Sequence, residues 1–202
     1  MRGLLLVVLA AGCFGAAHAA PTEPALRDEL LQMEAQDQEV RAAAKRGDTS
    51  RWRQTDAANQ KRLKEIVARY GWPTRSMVGI EGATAAWLVA QHSDSDKAFQ
   101  QKVLALMEPL VRQREVSGVD YAYLYDRTHY PQRFGTQGAC VSRQEWQPFE
   151  IEDIAHLNER RRELGLPAMA DYAARFKDNC ANPRVGLHRA GDPKKTVPAP
   201  QG

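Results

Sequence analysis

From Leu26 to Ala44 the chain keeps one rhythm. Leu26, Leu30, Met33, Asp37, Val40 and Ala44 follow each other at spacings of 4, 3, 4, 3 and 4. Trp52, Asp56, Asn59, Leu63, Ile66 and Tyr70 repeat the same spacings. This is the stripe of one α-helical face, repeated on a second helix. Gly47-Asp48 breaks the pattern only briefly, so the two helices are expected to form an antiparallel αα-hairpin. Each stripe must bury against something, yet Asp37, Asp56 and Asn59 lie inside it. A polar group placed there costs free energy unless it is paired.

The remaining chain continues the helical pattern. Thr22 is read as the cap of the first helix, with Pro24 in its first turn. Gly71 suits a helix C-cap and Pro73 forbids continuation. Gly82 to His92 is apolar nearly all round, as in a buried helix. Ser93 and Asp96 read as a capping box for a helix carrying Phe99, Val103, Leu106, Met107 and Leu110, with a kink at Pro109. Tyr121 to Arg127 is ambiguous, since periodicity alone does not separate a short helix from a strand there, and it is read as helix. Phe134–Cys140 and Glu145–Ile151 are expected to pair as a β-hairpin across Ser142-Arg143. Asp153 opens a helix ending at Gly165, and Pro167 starts a last one through Lys177. The expected fold is mainly α (α+β): a single-domain helical bundle of six to seven helices with one small β-hairpin. With 43% hydrophobic and 26% charged residues among 202, composition excludes collagen-like, wholly disordered and multi-span membrane chains.

The ends suggest a compartment. Arg2, the apolar run Leu4 to Ala11 and Ala17-His18-Ala19 have the form of a secretory signal peptide over residues 1–19. The apolar run is too short to span a bilayer. Cleavage there is expected, leaving no transmembrane segment, with a lipid anchor at Cys13 as the alternative. Cys140 and Cys180 remain, and in an oxidising compartment such a pair is expected to form a disulfide. The net charge of +3 is too small to imply a nucleic-acid surface, and residues 183–202 carry a basic surplus in a Pro/Gly-punctuated stretch read as a disordered tail. The folded domain is therefore placed at 20–182, and the protein in the periplasm or secreted.

Several short motifs occur in order: Asp37-Gln38-x-x-Arg41, Gly71-Trp72-Pro73, Gln91-His92-Ser93-Asp94, Tyr121-Ala122-Tyr123-Leu124-x-Asp126-Arg127, Gly135-Thr136-Gln137 and Ile151-Glu152-Asp153. Spread from Glu34 to Tyr172, the set resembles a bacterial family of uncharacterised secreted or lipoprotein-like proteins. The resemblance implies a fold, with no reaction or ligand attached. Here Cys140 lies in the hairpin segment, and His129-Tyr130-Pro131 replaces the apolar stretch expected after Asp126-Arg127.

The polar residues at stripe and motif positions are the candidates for chemistry. His92, Asp126 and Arg127 are the catalytic candidates: the imidazole as acid or base, Asp56 or Asp126 orienting it, and Arg127 binding an anionic group. Asp37, Asp56, Asn59, Gln91 and Gln137 are the binding candidates, with Trp52, Trp72 or Trp87 as a platform. The alternative is structural: Asp37 and Arg41 pair at i,i+4, Asp94 and Asp96 cap a helix, and Asp126 with Arg127 closes a buried network. No cofactor is expected. His92-x-Asp94-x-Asp96 lacks the second ligand spacing of a zinc helix. No G-x-S-x-G elbow, phosphate loop or C-x-x-C is present. Arg160-Arg161-Arg162 is read as a solvated basic face. Two functions remain open: an envelope protein binding a small ligand or a partner's loop, immunity to a toxin being one variant, and a metal-independent hydrolase of a cell-envelope glycan, peptide or ester centred on His92.

Overall fold

The computed structural model describes residues 20–181; the signal-peptide, lipid-anchor and tail expectations lie outside them. The architecture is mainly α with one small antiparallel hairpin. Helix α1 (Pro24–Lys45) and helix α2 (Trp52–Tyr70) fall where the two stripes predict them. Thr22 does not cap α1. The N-cap residue is Glu23, and the amides of Thr22 and Glu23 instead donate to the carbonyls of Ser76 and Met77.

Helix α3 (Arg75–Gln91) begins seven residues before the expected Gly82, capped by Thr74, whose hydroxyl accepts from the Met77 amide. Gly79 interrupts it at φ 74° and ψ 174°, a conformation essentially open only to glycine. A first turn and a longer buried segment are thus joined at one residue. Helix α4 (Lys97–Arg112) is capped by Asp96, which accepts from the Phe99 amide, and it carries Pro109 without ending there. The Ser93 hydroxyl donates back to the Val89 carbonyl rather than capping α4. Helix α5 (Gly118–Thr128), capped by Ser117, resolves the ambiguous segment as helix.

Strands β1 (Gly138–Ser142) and β2 (Glu145–Pro148) pair with Cys140 opposite Trp146. Both are shorter than expected, because the backbone of Arg133–Thr136 bonds to side chains and Glu150 and Glu152 bond to Gln132 in a parallel bridge. Ser142 pairs with Glu145, so the turn falls at Arg143-Gln144 and not at Ser142-Arg143. The next helix is a 3₁₀ turn (Ile154–His156) running into α6 (Leu157–Glu163). The last expected helix divides into α7 (Met169–Ala174) and α8 (Lys177–Ala181).

Two main apolar bodies hold these elements, beside a third small cluster of Ala122, Phe134 and Leu166. The larger joins α1–α5 through Leu30, Leu63, Ile66, Val78, Val103, Met107 and Leu124, all 0–1% exposed, with α1 lying most extensively on α3. The smaller gathers Cys140, Trp146, Tyr172 and Cys180, with Trp146 stacked on Phe176 at 4.7 Å between centroids. Cys140 and Cys180 form a disulfide across 40 residues, tying β1 to α8.

Candidate functional site

The first three helices bring part of the candidate set together. Asp37 and Arg41 are one turn apart on α1, and their charged groups meet at 2.6 Å. The Arg41 guanidinium also reaches Asp56 of α2, with Nη1 3.1 Å from Oδ1 and Nη2 3.4 Å from Oδ2. Trp52 Nε1 donates to Asp56 Oδ2 at 2.7 Å, and the guanidinium lies 5.1 Å from the Trp52 ring centroid. From the end of α3, His92 Nδ1 stands 2.9 and 3.1 Å from the two Asp37 oxygens. Gln38 Nε2 donates to Asp37 at 2.8 Å. The imidazole is thus oriented by Asp37, rather than by Asp56 or Asp126.

A carboxylate only accepts, so the His92 proton sits on Nδ1 and Nε2 faces away from Asp37. Nε2 has no hydrogen bond among the described residues, and the His92 side chain is 19% exposed against 2% for Asp37. Two carboxylates share one guanidinium here. Burial, and then the Asp37 charge, raises the Glu34 carboxyl above its ordinary value. An open groove between α1 and α2 is lined by Gln36, Glu39, Arg51, Gln54, Thr55 and Ala58, and by none of the cluster residues.

The other candidates go elsewhere. Asn59 is buried on α2, where its amide donates to the Met33 carbonyl at 3.1 Å and fastens α2 to α1. Arg127 forms a two-pronged pair with Asp94, its Nε 2.8 Å from Oδ1 and its Nη2 on Oδ2. Burial works against the Asp94 charge, but Arg127 and Lys97 together hold its carboxyl below the ordinary range. His92, Asp94 and Asp96 therefore turn to three different partners: Asp37, Arg127 and Lys64.

Asp126 accepts three backbone amides, from Arg133, Phe134 and Thr136, at 2.9, 3.0 and 2.7 Å. Burial raises its carboxyl while those amides pull it down. Gln137 sits in the same region. Its backbone amide donates to Gln132 Oε1, its carbonyl accepts from Gln132 Nε2, and its own side chain reaches the Thr136 hydroxyl. Gln91 is buried, with its backbone carbonyl held by Gln100 Nε2.

The profile of a family of unknown function (DUF6624) matches residues 24–183, most of the chain. The chain belongs to the DUF6624 family. Neither a curated protein nor a solved structure matches it. The DUF6624 match begins with α1, ahead of the Glu34 at which the quoted motifs start, and it takes in both apolar bodies.

One residue of this family member corrects the sequence reading. Arg161 is not on a solvated face; it is 0% exposed. Its Nε donates to the Pro167 carbonyl at 2.7 Å and its Nη1 to the Phe134 carbonyl at 2.5 Å, while the guanidinium lies 4.8 Å from the Tyr172 ring centroid. Tyr172 donates to the Thr136 carbonyl, and Tyr123 donates to Tyr172, each at 2.9 Å. The loop is gripped on both sides, its amides by an anion and its carbonyls by a cation and a phenol. The signal was available: Leu157, Arg161 and Leu164 share a face at spacings of 4 and 3, the rule that singles out Asp37.

Proposed function

We propose that this is a periplasmic or secreted envelope protein that binds a small ligand or a partner's loop at the His92 end of α1–α3. The single observation that carries the reading is an imidazole fixed through Nδ1 on a buried carboxylate, with no hydrogen bond to its second nitrogen among the described residues. Such an imidazole presents an acceptor of fixed direction to a ligand hydroxyl or amide N–H. Asp37 orients it, Arg41 holds Asp37 and Asp56 in place, and Trp52 adds an apolar edge. The compartment is supported by the Cys140–Cys180 disulfide and the leader-like first 19 residues. No described helix is long and apolar enough to cross a membrane.

A panel of sugars, amino acids and dipeptides tested by thermal shift checks this reading. A ligand present at a hundredfold its Kd adds about 2.7 kcal/mol to stability, a rise of several degrees. The expected result is a saturable rise in wild type that His92→Gln loses. Responses that never saturate, or that are equal in both proteins, contradict it.

A second reading has its own support, since an oriented imidazole with no hydrogen bond to Nε2 among the described residues is also what a general base requires. On that reading the protein is a metal-independent hydrolase of a cell-envelope glycan, peptide or ester centred on His92. Turnover of a chromogenic ester, glycoside or dipeptide that disappears in His92→Ala would put catalysis in place of binding.

A further inference from the structure

Four buried side-chain atoms among the described residues lack a hydrogen-bond partner: Gln60 Nε2, Trp87 Nε1, Gln91 Oε1 and Arg161 Nη2. Two of the four are neighbours. Trp87 and Gln91 are i and i+4 on α3, so their side chains occupy one face a single turn apart. One offers an N–H donor and the other a carbonyl acceptor. Gln91 is 6% exposed. Trp87 is only partly buried, and its indole meets Tyr123 of α5 edge-on with centroids 6.2 Å apart.

An unpaired donor and an unpaired acceptor within one turn constrain what fits between them. A carboxylate or phosphate only accepts, and an ammonium only donates, so each leaves one of the two unsatisfied. A planar amide does both: its carbonyl accepts from the indole, its N–H donates to the glutamine oxygen, and its flat apolar body suits an aromatic edge. The geometry points to a site between α3 and α5 that takes an uncharged amide group, held by Trp87 Nε1 and Gln91 Oε1. It lies on the side of α3 that meets α5, whereas His92 turns toward α1, so it stands independently of the His92 reading. The amide belongs either to a peptide or to an acetamido sugar.

Proton–nitrogen correlation spectra test this directly. The protein has four tryptophans, and the indole signal of Trp87 is the one lost in Trp87→Phe. The probes are N-acetylglucosamine, N-acetylalaninamide and, as a hydroxyl-only control, glucose. At least one amide probe is expected to move the Trp87 indole signal saturably, while glucose leaves it in place. Gln91→Leu is expected to weaken that binding at least tenfold. A response to the sugar alone assigns an acetamido sugar, and a response to N-acetylalaninamide alone assigns a peptide. A Trp87 signal unmoved by both amides, or moved equally by glucose, overturns the proposal and leaves an internal water between the two groups. Undiminished binding in a folded Gln91→Leu protein overturns it as well. Should that variant fail to fold, the wild-type titration alone decides.

Discussion

Arg41 is the residue on which the α1–α3 cluster depends. It is 6% exposed, and it pairs with the buried Asp37 on its own helix and with the partly buried Asp56 on the next. Removing one member of a buried ion pair leaves the other charge uncompensated, at a cost of about 3–5 kcal/mol. Arg41→Met is therefore expected to lower the unfolding free energy measured in urea by an amount in that range, and Asp37→Asn in the same background to recover part of it. Asp120 gives a test of a different kind. Burial pushes its carboxyl up to about 6, against the pull of the Ser117 hydroxyl and the Arg75 charge. A folded pKa above the unfolded value of about 3.9 means that the folded state binds the proton more tightly, so stability falls as pH rises through that window. Asp120→Asn is expected to flatten the profile between pH about 4 and about 6, and to be more stable at pH 7 by on the order of 1–2 kcal/mol. Unfolding curves at several pH values check both effects. At this scale the sequence shows Asp37, Asp56 and Asn59 because each interrupts an apolar stripe. It hides the Asp37–His92 contact, which joins residues 55 apart, and it hides Arg161 inside a run of arginines.

Among the elements, α1 and α2 were legible apart from the Thr22 cap, since a strict 4-3 rhythm bounded by Pro24, Gly47 and Gly71 leaves little choice. The start of α3 was not legible. Its first turn precedes a glycine that breaks helical geometry, so no continuous pattern crosses it. Gly79→Ala places a Cβ at φ 74° and is expected to cost on the order of 1–3 kcal/mol, read as a lower thermal midpoint. The strands were overextended for a related reason. Phe134 to Gln137 has the composition of a strand, but Asp126, Gln132, Arg161 and Tyr172 bond its backbone, and those partners are set by tertiary packing rather than by local pattern. Asp126→Asn, which puts an amide nitrogen where backbone N–H groups now point, is expected to cost about 2 kcal/mol or more and to increase hydrogen exchange at Phe134 and Thr136.

At the scale of the molecule, the α1–α5 body and the hairpin body differ in what secures them. The first rests on burial of aliphatic side chains; the second is small and aromatic and is tied by the Cys140–Cys180 bridge. Closing a loop of 40 residues contributes about 4 kcal/mol by chain entropy. Reduction is expected to lower the thermal midpoint and to raise hydrogen exchange in α8 and β1 before α1–α3. The cysteine pairing and the mainly helical class were legible in the sequence, whereas the split of the polar candidates into an α1–α3 cluster and a loop clamp was not, because it depends on which helices touch. The central claim is that His92 is held by Asp37 for a ligand and not as a brace. Urea unfolding of wild type against His92→Ala, with the disulfide intact, tests it most directly. Asp37 keeps Arg41 and Gln38 in the variant, so the account expects a midpoint unchanged or raised, as when a functional group is removed. A loss of about 2 kcal/mol or more would mark His92 as a structural residue and contradict it.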